Sequence, residues 1–513
     1  MATIIKKSLF VKGLKLPEKK FSAKKPIEKI SSPKKILVLL QQHFGEPCLP
    51  LVSRGDKIKA GQIIANSEKT FSTPIHSSIS GTVTNIIKII NPFANNIVEA
   101  IEVTKNTDEE QEDYIEFNKD VQLFEYSKKL ENIYFKNFNN LYNLNNLGNI
   151  DKKDNIIIEK EIDSGDILNS KEIITKDQIK NFWQDLLKII NERVNASKED
   201  VIQKVKDAGI VGLGGATFPT HVKLSTKKPI DTIIINGCEC EPYITSDHRI
   251  MLEYGWEVLA GAYIIFKVLS AKQVYIAIED NKEDAVNVFS KLIDDANLAE
   301  NFKVISLKSR YPMGAEKTLI KNVLGRKVPV GGLPMDVGVV VNNVGTAKSI
   351  FEAVSEGKPL IEKVITVTGD IKEPKNLVVK IGTPINFILS LFKELDEANH
   401  ENYKIILGGP MMGNVVNDLN FPITKAVNCI LIKKAKPLTE SNCIRCGRCV
   451  NICPMNLMPL MYVIYTKNNK FETLKEYNIN TCIECGSCAY VCPASIPIVA
   501  YIKTGKSVLA GYK

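Results

Sequence analysis

The chain has 513 residues, 44% of them hydrophobic and 24% charged, with a formal net charge of +9. That length exceeds one hydrophobic core and implies about three or four domains, and no run reaches the roughly 18 apolar residues of a spanning helix. Twelve cysteines behind an N-terminus without an export signal argue against a disulfide framework and for metal, in a protein that is cytoplasmic or on the cytoplasmic face of a membrane.

Residues 1–35 form a basic N-terminal arm, with eleven lysines and two acidic residues between Lys6 and Lys35. A solvated arm is expected, or one drawn to an anionic membrane or an acidic partner. No aromatic-interleaved basic motif accompanies the lysines, so nucleic acid is not expected. Residues 36–106 are short β runs punctuated by Gly, Pro and Ser, with strand–turn–strand patterns at 54–63 and 74–83. They resemble the barrel-sandwich hybrid fold of lipoyl and biotinyl carriers. Lys69 lacks flanking methionines and its spacing to Gly81 does not fit the biotin pattern, so a scaffold is expected, not a carrier. Residues 107–196 are rich in Asn, Lys, Glu and Ile and read as a low-complexity insertion or linker, with one helix near 177–190.

From Ser197 the pattern becomes α/β. Ser197 is placed to cap a helix with Asp200 at its third position, and that helix leads into a glycine-rich loop. Strands at 232–235, 274–278, 304–307 and 337–341 alternate with helices at 248–269 and 283–296. This predicts a mostly parallel sheet with covering helices over 197–358. Residues 359–432 are β-rich again, with strands at 363–368, 378–381 and 403–407 and a helix at 382–393, a β-grasp-like (SLBB) module. The tail, 433–513, is α-helical and ferredoxin-like. The fold class is therefore multidomain α/β and β: a barrel-sandwich-hybrid scaffold, an α/β domain, a β-grasp-like module and an α-helical, cysteine-rich tail.

The tail carries two matching runs, Cys443-Ile-Arg-Cys446-Gly-Arg-Cys449-Val-Asn-Ile-Cys453-Pro454 and Cys482-Ile-Glu-Cys485-Gly-Ser-Cys488-Ala-Tyr-Val-Cys492-Pro493. Each is the C-x2-C-x2-C-x3-C-P run of two-cluster bacterial ferredoxins. Three thiolates in step wrap one cubane, and the fourth reaches the other. The expected ligands are Cys443, Cys446, Cys449 and Cys492 for one [4Fe–4S] cluster, and Cys482, Cys485, Cys488 and Cys453 for the second. Zinc sites pair two knuckles and need neither the third cysteine nor the Cys-Pro ending. Cys429 reads as a buried or spare thiol and Cys48 as a turn residue.

The loop Gly212-Leu-Gly214-Gly215-Ala-Thr217-Phe218-Pro-Thr220 is not a dinucleotide fingerprint, because threonine stands where the third glycine belongs. Its consecutive N–H groups suit a phosphate, and Lys223 follows closely. Polar loops come after strands at Asn236-Gly-Cys238-Glu239-Cys240-Glu241, at Tyr311-Pro-Met-Gly-Ala315-Glu316, at Gly325-Arg326-Lys327 and at Asn342-Asn343-Val-Gly-Thr346. Such positions are where α/β sheets bind ligands.

These loops resemble the flavin- and NADH-binding subunit of respiratory complex I. With the scaffold and tail, the chain resembles more closely the RnfC family, the electron-input subunit of Rnf ion-translocating oxidoreductases. The resemblance implies that Gly212, Gly214, Gly215, Phe218 and Lys223 cradle the FMN phosphate, and that Asn236, Asn342, Asn343 and Thr346 hold the ribityl chain and phosphate. It implies Glu239 and Glu241 at the flavin edge and nicotinamide side as the catalytic residues. Tyr311 and Glu316 would line the nucleotide pocket, with Arg326 or Lys327 at its phosphates. Cys238, Ala315 and Thr217 depart from the complex I pattern.

The resemblance thus implies a peripheral subunit on the cytoplasmic face of the bacterial inner membrane. Electrons would pass between NADH, FMN, two [4Fe–4S] clusters and partner subunits or ferredoxin, coupled by the complex to ion translocation. Two alternatives stay open: a soluble flavin–iron–sulfur reductase such as the cobalamin reductase of propanediol metabolism, and a relay or docking subunit whose nucleotide site has decayed.

Overall fold

The computed structural model describes residues 4–7, 12–93, 96–106, 114–117, 119–134, 155–159, 171–393, 403–434 and 439–511. The low-complexity run at 139–149 lies outside them. Five parallel strands form the central sheet, in the order Ile4–Lys7, Phe302–Leu307, Gln273–Glu279, Thr232–Gly237, Val339–Asn343. Strands Thr232–Gly237 and Val339–Asn343 are runs of Ile and Val, buried on both faces, as an all-parallel sheet under two helical layers requires. One layer contains helices Gly255–Leu269 and Val344–Glu356; Glu316–Leu324 covers the other face.

Boundaries differ from the sequence reading where backbone conformation intervenes. The helix expected at 248–269 is two helices, Ser246–Glu253 and Gly255–Leu269, because Tyr254 leaves helical geometry between them. The strand expected from 337 starts at Val339, after a 3-10 turn Pro334–Val337 closed by Gly338 at φ 72. The helix expected at 382–393 is confined to Ile385–Leu389.

A six-stranded sheet runs in the order Asn414–Val416, Tyr403–Leu407, Cys429–Lys434, Glu362–Gly369, Lys375–Lys380, Ile27–Lys29. The N-terminal module has a four-stranded sheet (Lys35–Leu39, Asn96–Thr104, Gly81–Asn91, Lys57–Ile58) and a three-stranded one (Leu49–Pro50, Ile63–Asn66, Ile75–His76). The patterns at 54–63 and 74–83 are therefore not hairpins. In each, the two strands belong to different sheets, and the intervening turn carries the chain across the sandwich.

The described residues of the basic arm pair with the body of the protein, although most of their lysines stay exposed. Ile4–Lys7 pairs with Phe302–Leu307, Leu14 bridges to Tyr311, and Ile27–Lys29 pairs with Lys375–Lys380. Part of the expected linker is also packed. Helix Lys176–Ala196 starts at a capping box of Thr175 and Gln178, and buries Trp183, Leu186 and Ile190 in the core that holds Leu259 and Tyr263. Trp183 Nε1 donates to Tyr134 Oη at 2.9 Å. In the tail, helices Pro459–Lys467 and Ile498–Gly511 bury Tyr462, Val463 and Ile502 in a small core that also includes Cys453 and Cys488.

Candidate flavin and iron–sulfur site

Strand Thr232–Gly237 has Gln273–Glu279 on one side and Val339–Asn343 on the other. The connection reverses direction across the sheet there, so a crevice opens between the carboxyl ends of these strands. Asn236 and Asn343 are direct neighbours across that point. A cavity of about 510 Å3 fills the crevice, within the usual range for a small-molecule site.

Gly212, Gly214, Phe218 and Lys223 form one wall of the cavity, and Asn236, Asn342 and Asn343 another. The glycine loop closes on itself: Gly212 N–H donates to Phe218 O at 2.9 Å, and Thr217 N–H to Gly212 O at 3.1 Å. Gly215 sits at φ 109 with open space where a Cβ would project, so the loop presents bare backbone. Thr217 adopts φ 47, a left-handed conformation that glycine takes without strain. Lys223 Nζ lies 3.0 Å from Glu316 Oε1 and 2.9 Å from Val341 O. The side-chain nitrogen of Asn342 is buried with no hydrogen-bond partner. An orphaned buried amide, a bare N–H loop and a lysine form a donor-rich wall that fits the polyol and phosphate of FMN.

Glu239 and Glu241 line the same cavity but are already engaged. Glu239 accepts from Ser246 Oγ at 3.2 Å and from the N–H groups of Asp247 at 2.8 Å and His248 at 3.3 Å, capping helix Ser246–Glu253. Glu241 accepts from the N–H groups of Met411 at 3.2 Å and Met412 at 2.9 Å. Burial pushes its carboxyl up to about 7 against these two N–H groups and Lys20. Gly409 is required here, because a Cβ would lie 2.2 Å from Glu241 Oε2. Lys20, from the basic arm, donates to the carbonyls of Glu239 at 2.7 Å, Glu241 at 2.8 Å and Ile244 at 2.6 Å. Nothing distinguishes Lys20 from its ten neighbouring lysines in sequence.

Tyr311 and Glu316 are in the cavity wall, and so are Ile483 and Cys485 of the tail. Tyr311 Oη donates to Cys485 O at 2.6 Å. Asp247, absent from the sequence reading, also lines the cavity. Thr346 does not: it is fully buried, and its hydroxyl accepts from Leu213 N–H at 2.9 Å, bracing the glycine loop from behind. Arg326 is held by Asp231 Oδ1 and Val337 O, both at 2.8 Å, outside the cavity. Cys238 is buried against Ala277, and Gly314 passes so close that a Cβ would lie 2.4 Å from Cys238 O.

The eight tail thiols fall into two groups of four. Cys443, Cys446, Cys449 and Cys492 surround one cavity; Cys453, Cys482, Cys485 and Cys488 surround another. Among the described residues no three His, Cys, Asp or Glu side chains converge tightly enough for a single metal ion. Four thiols around a shared void fit the wider body of a cubane. Cys443 and Cys446 are exposed, whereas Cys453, Cys485 and Cys488 are buried. Cys48 and Cys429 are buried thiols.

Residues 205–352 match the family described as the Nuo51 FMN-binding domain, 8–109 the RnfC barrel sandwich hybrid domain, and 442–496 the 4Fe-4S dicluster domain. The chain is 38% identical to a subunit of the proton-translocating ferredoxin:NAD(+) oxidoreductase complex of Clostridium ljungdahlii, over 95% of this chain and 91% of that one. It is 33% identical to the corresponding subunit of the Na(+)-translocating ferredoxin:NAD(+) oxidoreductase complex of Acetobacterium woodii, over 92% and 91%. A looser likeness, TM-score 0.41 at 20% identity over 62% of this chain and 55% of the other, links it to an NAD+-reducing [NiFe]-hydrogenase. With the scaffold, flavin and dicluster modules in one order along a matched length, the chain belongs to the RnfC family.

Proposed function

We propose that this chain is the electron-input subunit of a membrane-bound, ion-translocating oxidoreductase complex, exchanging electrons between NADH and partner subunits or ferredoxin. The observation that carries the reading is the shared wall between the FMN-type cavity and the second thiol group, bridged by the Tyr311–Cys485 hydrogen bond. FMN, when bound, supplies the conversion between two-electron hydride chemistry and one-electron transfer. The glycine loop and Lys223 hold its phosphate, and Asn236, Asn342 and Asn343 hold its ribityl chain. Glu239 and Glu241 shape the nicotinamide side.

Cys453, Cys482, Cys485 and Cys488 would hold the cluster that receives electrons from the flavin, since Cys485 also lines the flavin-type cavity. The cluster on Cys443, Cys446, Cys449 and Cys492 is the outlet, under exposed Ile444 and beside Arg445 and Arg448. No helix among the described residues is long and apolar enough to cross a membrane, and attachment through partner subunits on the cytoplasmic face accounts for a place in a membrane complex. Anaerobic purification tests this. About eight irons and one FMN per chain, with NADH bleaching both chromophores, is the expected result. Eight irons without flavin and without an NADH response would leave only a relay subunit.

A further inference from the structure

A second cavity, of about 500 Å3, lies behind the flavin cavity, and Asp247, Asn343 and Asn428 line both. Asp247 Oδ2 accepts from Asn343 Nδ2 at 2.6 Å, at the boundary between the two. Ser246 and Lys363 flank Asp247 at the inner end. Further out, the walls carry a ladder of alternating charges. Glu257 lies 3.1 Å from Lys348, which lies 2.9 Å from Glu352. Glu352 lies 2.7 Å from Lys358, which lies 2.9 Å from Glu362. Lys128 and Glu131 line the outer end with side chains about half exposed, so the cavity reaches solvent. A polar cavity of this size has room for roughly ten or more waters, each with several polar partners. Glu257 meets Lys348 Nζ through Oε2.

The reaction leaves a proton to be moved. NADH gives up a hydride, which is two electrons and one proton; each cluster takes one electron and no proton. Every NADH oxidised therefore yields NAD+, two electrons on the clusters and one proton at the flavin. The same proton must be delivered when NAD+ is reduced.

We propose that the second cavity is a hydrated proton route between the flavin site and solvent, with Asp247 as its inner carboxylate and Glu257 as its middle one. This rests on the flavin reading above. Asp247 takes the proton on the flavin side and passes it to water in the rear cavity, and the near-balanced lysine and glutamate walls hold that water without trapping an ion. Burial, then the neighbouring Glu239, push the Asp247 carboxyl up to about 7, against Asn343, Lys363 and Lys282. Burial pushes Glu257 to about 7 as well, against Lys348. Both carboxyls therefore exchange protons near neutrality.

The test uses the full chain loaded with FMN and clusters, and three variants: Asp247→Asn, Glu257→Gln and the cavity-filling Ser349→Phe. Stopped-flow mixing with NADH and a one-electron acceptor follows NADH loss and, with a pH-indicator dye, the proton reaching bulk. In the wild-type chain the two coincide; in the variants the proton lags electron transfer by at least about tenfold. Infrared spectra of the flavin-free chain give a second readout, a buried protonated carboxyl near neutral pH that is missing from Asp247→Asn. Proton release that keeps pace in Asp247→Asn and Ser349→Phe, with full flavin content, overturns the route alone. If Asp247→Asn does not fold, Ser349→Phe and Glu257→Gln decide. A wild-type chain that binds no flavin overturns both the route and the function it rests on.

Discussion

The ammonium of Lys20 lies 2.8 Å from the backbone oxygen of Glu241, and the same group also holds the carbonyls of Glu239 and Ile244. One lysine from the N-terminal arm thus ties down the loop that carries both cavity carboxylates. Burial lowers its pKa, with Lys282 acting in the same direction and Glu239 and Glu279 opposing.

Lys20→Met keeps the length of the side chain and removes the donor. Three buried carbonyls then lose a charged partner, at a cost of about 2–4 kcal/mol. The expected outcome is a Tm several degrees lower and weaker flavin retention, by calorimetry and by FMN content after gel filtration. Substitution of Lys15 or Lys24, exposed lysines of the same run, is expected to change neither.

Lys223→Met tests the phosphate cradle. Lys223 Nζ bonds only at the cavity wall, to Glu316 and Val341 O. Its loss is expected to raise the Kd of the flavin-free chain for FMN by about tenfold to a hundredfold, about 1.5–3 kcal/mol, in a flavin-fluorescence titration. Asn342→Leu removes the orphaned amide and is expected to weaken FMN by about tenfold while leaving the empty chain no less stable, since the lost group had no protein partner. Unchanged FMN affinity in both variants would mean that the flavin is held elsewhere.

The order of the two clusters follows from which thiols share the flavin wall. Cys446→Ala removes a ligand of the exposed group and is expected to halve the iron, to about four per chain, while NADH still reduces the remaining cluster. Cys488→Ala is expected to halve the iron as well, but to leave the remaining cluster reduced slowly or not at all by NADH. The readout is cluster bleaching and electron paramagnetic resonance after rapid freezing. A reversed pattern would place the exposed group next to the flavin.

The tail was legible because ligand spacing is local: three thiols in step and the Cys-Pro ending lie within twelve residues of chain. The central strands were legible because Ile and Val runs such as 233–235 mark a sheet buried on both faces. Asn236, Asn342 and Asn343 could be placed because polar residues after such strands lie at the crevice of the sheet. The arm was misread because composition cannot tell which of eleven lysines is enclosed; Lys20 meets its partners more than 200 positions away. Asp247 went unnoticed for the same reason: Asn343 reaches it across 96 positions. The resemblance implies a ligand contact for Thr346, and only the fold shows that its hydroxyl turns to Leu213 instead.

Glu241 sets a pH dependence whose sign can be worked out. Its carboxyl titrates at about 7 in the folded chain and at about 4.3 when unfolded. Between those values the folded state holds a proton that the unfolded state has released, so this group makes stability fall as pH rises from about 4.5 to 7, and leaves it flat above. The full effect is roughly 4 kcal/mol as an upper figure. Glu241→Gln cannot ionise, so it is free of that slope. Glutamine accepts well through one oxygen only, so one of the Met411 and Met412 N–H bonds is expected to weaken at every pH, at a cost of about 1 kcal/mol. The variant is therefore expected to be less stable than the wild-type chain at about pH 4, about equal at pH 5 and more stable at about pH 8. Asp247 and Glu257 contribute slopes of the same sign to both chains, and the difference between the two Tm curves cancels them. Curves that run parallel from pH 5 to 8 would mean that Glu241 is ionised throughout, and that the loop at Met411 and Met412 holds a carboxylate, not a carboxylic acid.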